Sequence, residues 1–450
     1  MSDIKNILQK YGISTNLELN DVEWRSENSS DHSILFYKFN RQTHSELEKF
    51  NERLSQSSLG ICITNSNTKL TQENCFCLDG ENYLSLQEEL LCYLYPTDFM
   101  EEKYSVGVTG TNGKTTTVYL FAQLMMQKKL NVLTVGTLGV LLNNKEISNY
   151  NLTTPAYIDL RKELFRQKDS FDVFAMELSS HALEQGRIGS IKFNQIAWTN
   201  LSQDHLDYHG TMDKYFEAKK RVYQYLKNPG FSVFIPETQV ELISLLKNFE
   251  VKKISSKVVT SNPFFRMSYN LENLSLALAL TKSKYKEHYD VEQLTASPGR
   301  FNIIKYGKDF IIIDFAHTPD ALKAICLDLK KAFSEYRLIT LFGCGGDRDR
   351  VKRSLMAEAA SEYSDFVILT SDNPRFEDPQ QIINDARVGL KTKSHIEVDR
   401  KKAIAYGIET IDEKKTILLI AGKGHEAYMD IQGRKYPFND KDYVTELIND

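Results

Sequence analysis

The chain has 450 residues, 41% of them hydrophobic and 26% charged, and a formal net charge of −4. That length allows about three domains, each with its own core, and the mild acidity argues against nucleic acid or an anionic membrane as main partner. The start MSDIKNILQKYG has no signal-peptide apolar stretch and no run reaches membrane-spanning length; six cysteines without a CxxC pair suit neither a disulfide framework nor structural zinc, so a cytoplasmic protein without membrane insertion is expected.

Residues 1–97 read as a small mixed α/β domain, with strand-like runs at 34–39 and 60–63 between helical stretches at 44–54 and 84–94. A second domain, 98–297, opens with the chain's most informative segment. A β-rich run at 104–109 enters the turn Gly110-Thr111-Asn112-Gly113, and after Lys114 a helix-forming run at 115–127 leaves it. Such a loop wraps backbone N–H groups around phosphates, adds a lysine charge and offers a hydroxyl to Mg²⁺. Val108 stands where the strict GxxxxGK[ST] spacing has its first glycine. Strands at 131–134, 172–176 and 195–198 then alternate with helices at 158–165 and 212–226, the rhythm of a doubly wound, mostly parallel sheet. Two polar strand exits follow the loop: Glu177, and the segment 199–210. Taken singly, Glu177 reads as a surface charge and Lys219 as part of a solvated Lys-Lys-Arg face.

Pro298-Gly299 punctuates the chain, and a third strand–helix series occupies 298–450. Its strands at 310–313, 338–342, 366–369 and 417–420 each end in a polar or Gly-rich turn, at 314–319, 343–348, 371–375 and 422–426. Ligands of open α/β sheets bind beyond the carboxyl ends of the strands, so these turns are expected to form one composite site.

The segments 109–116, Leu152-Thr153-Thr154-Pro155, 176–183, 199–210, 314–322, 343–353 and 421–426 resemble the Mur ligases, in their diaminopimelate-adding branch, and the resemblance runs from about residue 104 to 440. It implies three α/β domains: one for a UDP-linked substrate, a central ATP-binding P-loop domain and a Rossmann-like domain for the incoming amino acid. It also implies a reaction. ATP phosphorylates the free carboxylate of UDP-MurNAc-L-Ala-D-Glu, and the amine of meso-diaminopimelate displaces phosphate from the acyl phosphate. Two anionic reactants must meet, so cations carry much of the burden.

By the same resemblance, Gly110, Thr111, Asn112, Gly113, Lys114, Thr115 and Thr116 hold ATP, with Asn273 on the adenine and Arg300 and Asp314 supplied by the third domain. Thr115, Glu177 and His205 coordinate Mg²⁺. Lys219 is carbamylated to help bind a second Mg²⁺, with Lys220 serving if the match slips by one. Thr153, Thr154, Ser179, Gln185 and Arg187 grip the donor peptide. Arg348, Asp372, Asn373, Pro374, Arg375, Gly422 and Glu426 receive diaminopimelate, whose second carboxylate suits an arginine fork and is missing from lysine. A monomer that closes its third domain during turnover is expected.

The chain departs from the family pattern in two places. Ser26-Glu27-Asn28 replaces the Asp-Ser-Arg motif before Leu35-Phe36, and the stretch between Lys219 and Asn273, with Pro236-Glu237-Thr238, is short. A ligase using another carboxylate donor therefore stays open, as does a non-catalytic nucleotide-binding scaffold. Folylpolyglutamate synthetase shares the architecture, but the Arg375 motif and 199–210 fit it less well. Lys114, Glu177, His205 and Lys219 are all present, which favours an enzyme.

Overall fold

The structure is a computed structural model that describes residues 2–39, 44–65, 74–228, 230–299, 301–412, 414–424 and 426–449. Arg300, one of the expected nucleotide contacts, lies outside the described residues. The chain divides into two compact units. One comprises Met1–Thr111, Lys128–Val233 and Leu246–Lys252; the other comprises Asn112–Gln127, Phe234–Leu245 and Lys253–Asp450.

The first unit begins with four parallel strands in chain order: Asp21–Glu23, Ser33–Tyr37, Ile61–Thr64 and Cys75–Cys77. Successive strand residues face opposite ways. Ile34, Phe36, Ile61 and Ile63 accordingly pack with Leu86 and Leu90 of the helix Gly80–Leu94. Leu35 and Cys62 pack on the other face with Phe50 and Leu54 of the helix His44–Ser55. The helix Gly80–Leu94 starts four residues before the sequence suggests, because the Asp79 carboxylate accepts the Asn82 N–H at 2.8 Å and caps it.

An eight-stranded sheet follows, ordered Val251–Ile254, Val233–Pro236, Gln195–Trp198, Tyr104–Thr109, Val173–Glu177, Val132–Gly136, Gly139–Leu142, Lys145–Ser148. Tyr104–Thr109 is buried throughout and runs parallel to both of its neighbours. The last two strands form an antiparallel edge that the pattern reading did not contain. The helix expected over 212–226 stops at Lys220 and continues as a 3₁₀ turn, Arg221–Tyr225, which buries Val222 and Tyr225.

The second unit holds a six-stranded sheet ordered Asn302–Tyr306, Asp309–Asp314, Thr416–Ala421, Arg337–Cys344, Phe366–Ser371, Ser394–Ile396. Only the first strand is antiparallel. Ile313, Leu341, Ile368 and Ile420 form its core with Ile404 of the helix Arg400–Glu409. The four strands with the polar exits are therefore neighbours, and their carboxyl ends lie side by side. The fold class is the expected one: a small parallel α/β sheet, a mostly parallel central sheet behind the Gly-rich loop, and a Rossmann-like sheet.

Candidate active site

In the first unit the Gly-rich loop is fixed by close packing at its own start. Gly110 has φ +142°, and a Cβ there would stand 1.9 Å from the Thr199 hydroxyl, so no other residue fits. The Thr111 N–H donates to Asn200 O at 3.1 Å, and its hydroxyl donates to Ser202 O at 3.1 Å and meets the Tyr215 hydroxyl at 3.1 Å. Segment 199–210 is thereby tied to the loop, as strands Tyr104–Thr109 and Gln195–Trp198 are paired.

Lys219 is buried, 1% exposed, and its ammonium donates to Gly110 O at 2.7 Å over the Tyr215 ring. Lys220 is half-buried and pairs with Glu217 on its own helix. Of the two adjacent lysines, Lys219 is the one at the loop. A residue that reads from sequence as a solvated face is one of the most enclosed in the chain, because Tyr215 and Ala218 beside it are also buried.

Glu177 ends its strand opposite Val108 and is 1% exposed. Its carboxylate accepts the Thr137 N–H at 2.8 Å and the Thr137 hydroxyl at 3.2 Å, and a Cβ on Gly136 would strike it at 2.1 Å. Thr137 joins this cluster of candidate residues without a signal in the sequence reading. Its hydroxyl also meets that of Thr153 at 3.2 Å. Thr154 donates to Glu177 O at 2.8 Å and accepts the Ser179 N–H at 3.2 Å. Arg187 donates to Thr154 O at 3.2 Å and twice to the Gln185 carbonyl, whose amide donates to the Tyr208 hydroxyl at 2.9 Å. The five residues expected at the donor peptide thus form one connected network in this unit.

His205 adopts φ +52° and sits half-exposed, its ring 3.4 Å from the Asp204 carboxylate and edge-on to His181. Among the described residues no three His, Cys, Asp or Glu side chains converge as a metal cage would require. A magnesium ion held mainly by nucleotide phosphates asks for only one or two protein carboxylates. The buried Glu177 at a strand's carboxyl end fits that demand.

In the second unit the loop turns into the helix Lys114–Met126 through Gly113, at φ +84°. A Cβ on Gly113 would meet the Asn273 side-chain carbonyl at 2.4 Å, and that carbonyl accepts the Thr117 hydroxyl at 3.2 Å. Asn273 thus braces the start of the phosphate-loop helix. Asp314 accepts the Phe301 N–H at 2.8 Å and the Ala316 N–H at 2.9 Å, tying Phe301 to the strand's exit.

The exits of this sheet converge as expected. Gly346 N donates to Asn373 O, and Arg375 donates to Gly346 O at 2.6 Å. Arg375 has φ +50°, and its backbone pairs with Asp430 and Gln432. A Cβ placed on Gly345 would have both Arg375 and Arg348 within 3.8 Å. Apart from the bond to Gly346, neither guanidinium has a hydrogen-bond partner among the described residues. Asp372 and Asn373 are buried, and burial raises the Asp372 carboxyl above its ordinary range against the pull of Arg400 and Lys423. Asn373 donates to Glu426 at 2.7 Å. Sequence reasoning missed two cations here. Lys423 is fully buried beside Glu426, and Arg400 forms a buried two-pronged pair with Asp440 while donating to Ser371 O and Ala421 O.

The chain's similarities agree with this geometry. Residues 108–304 match the Mur ligase middle domain, and residues 299–424 match the Mur ligase glutamate ligase domain. The UDP-N-acetylmuramoyl-L-alanyl-D-glutamate–2,6-diaminopimelate ligase of Fusobacterium nucleatum is 38% identical over 76% of this chain and 77% of its own. The ligase of the same name from Rickettsia typhi is 31% identical over 98% of this chain and 96% of its own, so that match includes the first sheet. A solved structure of a ligase of that name aligns with TM-score 0.64 and 28% identity over 98% of both chains. The ADP complex of the MurF ligase from Thermotoga maritima shares the fold, with TM-score 0.60 and 14% identity over 96% of this chain and 98% of its own. A buried lysine at the Gly-rich loop, a strand-end carboxylate and a cluster of strand exits with open arginines stand on a chain that belongs to the Mur ligase family of ATP-dependent acid–amino-acid ligases.

Proposed function

We propose that the chain joins meso-diaminopimelate to the D-glutamyl carboxylate of UDP-MurNAc-L-Ala-D-Glu, converting ATP to ADP and phosphate in peptidoglycan precursor synthesis. The observation that carries the acceptor is the pair Arg375 and Arg348, which flank Gly345 next to Asn373 and, among the described residues, keep N–H groups open. A guanidinium fork binds a carboxylate bidentately, and diaminopimelate brings one carboxylate more than lysine does.

In this reading a carboxylate oxygen of the donor attacks the γ-phosphorus, and the bond to ADP breaks. The diaminopimelate nitrogen then attacks the acyl carbon, and the tetrahedral adduct expels phosphate. Lys114 and the N–H groups of the loop hold the phosphates, whose charge otherwise repels the incoming carboxylate. Thr115, Glu177 and His205 are the residues for Mg²⁺, which supplies electrostatic relief of that charge when bound. Lys219 is the candidate for carbamylation; its burial at Gly110 supports it over Lys220. Asn273, Arg300 and Asp314 belong with the nucleotide, and Thr153, Thr154, Ser179, Gln185 and Arg187 with the donor peptide. Residues 1–97, 98–297 and 298–450 are assigned as donor, ATP and acceptor domains. Among the described residues no helix is long and apolar enough to cross a membrane, and we assign a cytoplasmic monomer.

The test is phosphate release with ATP, Mg²⁺, UDP-MurNAc-L-Ala-D-Glu and meso-diaminopimelate, with the product's mass determined. The tripeptide is expected. Silence from protein shown to bind ATP would mean that another donor is used.

A further inference from the structure

We infer that Lys423 is a positioning residue of the acceptor pocket, holding Asn373 and Glu426 at the spacing that receives the second amino-acid head. The inference rests on the acceptor reading above.

Lys423 stands between two glycines of positive φ, Gly422 at +113° and Gly424 at +53°. A Cβ on Gly422 would come 2.7 Å from the Asp372 carboxylate, and one on Gly424 would come 2.7 Å from Gly299 O and from the Phe315 side chain. Both positions are closed to larger residues, and the side chain between them is fully buried. An ammonium has three N–H donors. Three acceptors meet it: Tyr428 O at 2.7 Å, Glu426 Oε2 at 3.0 Å and Asn373 Oδ1 at 3.2 Å. Asp372 Oδ1 lies at 3.8 Å and adds a fourth, longer contact.

These bonds join three separate pieces of chain: the exit of strand Phe366–Ser371, the exit of strand Thr416–Ala421, and the strand Tyr428–Ile431. Asn373 strengthens the junction by accepting the Asp430 N–H at 2.9 Å and donating to the same Glu426 oxygen. Glu426 Oε2 therefore takes two donors. Oε1 takes none among the described residues, and the side chain is one-quarter exposed. The lysine fixes one oxygen of Glu426 and leaves the other for a ligand ammonium. It sits where it cannot touch that ligand through solvent, so its influence passes through Asn373 and Glu426.

The test compares KM and kcat for diaminopimelate and KM for ATP in Lys423→Met, Lys423→Arg and Arg375→Ala. Lys423→Met should raise the diaminopimelate KM at least tenfold and leave the ATP KM within twofold. Lys423→Arg keeps the charge but not the three-pointed geometry, and should raise it at least threefold; this variant decides the matter if the methionine variant does not fold. In Lys423→Met/Asn373→Ala the two losses should fall well short of multiplying, because the residues act as one unit. A lysine that serves stability alone would lower Tm or kcat and leave the diaminopimelate KM unchanged in both variants, which would overturn the inference. An unchanged diaminopimelate KM in Arg375→Ala would overturn the acceptor reading itself, whatever the lysine variants do.

Discussion

The strand exits of the first sheet and those of the third carry similar residues in opposite states. At the first, Glu23 and Asp21 pair with Lys162, the Trp24 indole donates to Asp159 at 2.8 Å, and Arg25 lies 3.7 Å from the same carboxylate. Burial raises both the Glu23 and the Asp159 carboxyls above their ordinary range, against the pull of those partners. The polar groups of Asp21–Arg25 are engaged within the chain. At the third sheet the inner cations Lys423 and Arg400 are equally engaged, but Arg375 and Arg348 keep most of their N–H groups open among the described residues. A polar strand exit becomes a binding surface when its donors outnumber the acceptors the fold supplies. Where the numbers match, it is packing.

Five substitutions would break or sharpen that contrast. The largest effect belongs to Lys219→Ala, expected to lower kcat about 1,000-fold, the scale of losing a preorganised electrostatic group. Lys220→Ala should stay within about twofold, since half-buried Lys220 meets Glu217 on its own helix and the rings of Phe216 and Phe249, none of them at the loop. Similar losses in both would remove the distinction drawn from burial. Next, Arg375→Ala should cut kcat/KM for diaminopimelate about 100-fold with nucleotide affinity unchanged by titration. Equal loss of both would mean that the arginine supports the fold.

Asp159→Ala tests the engaged side. It should lower stability by about 1–3 kcal/mol, because it strands the Trp24 N–H and the Arg25 charge, while the diaminopimelate KM stays put. A raised KM with unchanged denaturation would contradict the packing role. The smallest effect is a change of pH dependence. The Arg353 hydrogen bond holds the Glu377 carboxyl down at about 2, helped by the Asp347 N–H. Its stabilisation is therefore present above the unfolded value of about 4.3 and is lost as pH falls toward 2. Glu377→Gln should flatten the stability curve between about pH 4.5 and 2, and a curve of unchanged slope would mean that other carboxylates set the acid limit.

Much of this architecture was legible because backbone rules act locally. Tyr104–Thr109, the glycines after it and the helix from Lys114 announce themselves in ten residues, and the apolar strands of the third sheet end at their polar turns. Other features needed contacts between distant segments. The helix Ser268–Lys282 is buried at Asn270, Asn273, Leu276 and Leu280, on several faces, so it shows little periodicity to read. The edge hairpin did carry a signal: Asn143 and Asn144 have φ +51° and +61°, and such Asn pairs favour two-residue hairpin turns. Thr137, Lys423 and Arg400 had none. Each matters because of a partner 40 or more residues away, as Thr137 to Glu177, Lys423 to Asn373 and Arg400 to Asp440 show.

The central claim is that open arginines select the acceptor, and the ratio of kcat/KM for meso-diaminopimelate to that for L-lysine tests it most directly. With saturating ATP and UDP-MurNAc-L-Ala-D-Glu, the ratio should exceed about 1,000, because lysine leaves the fork of Arg375 without a carboxylate. A ratio near one would contradict the account, and would mean that Arg375 and Arg348 face something other than the second head of the amino acid.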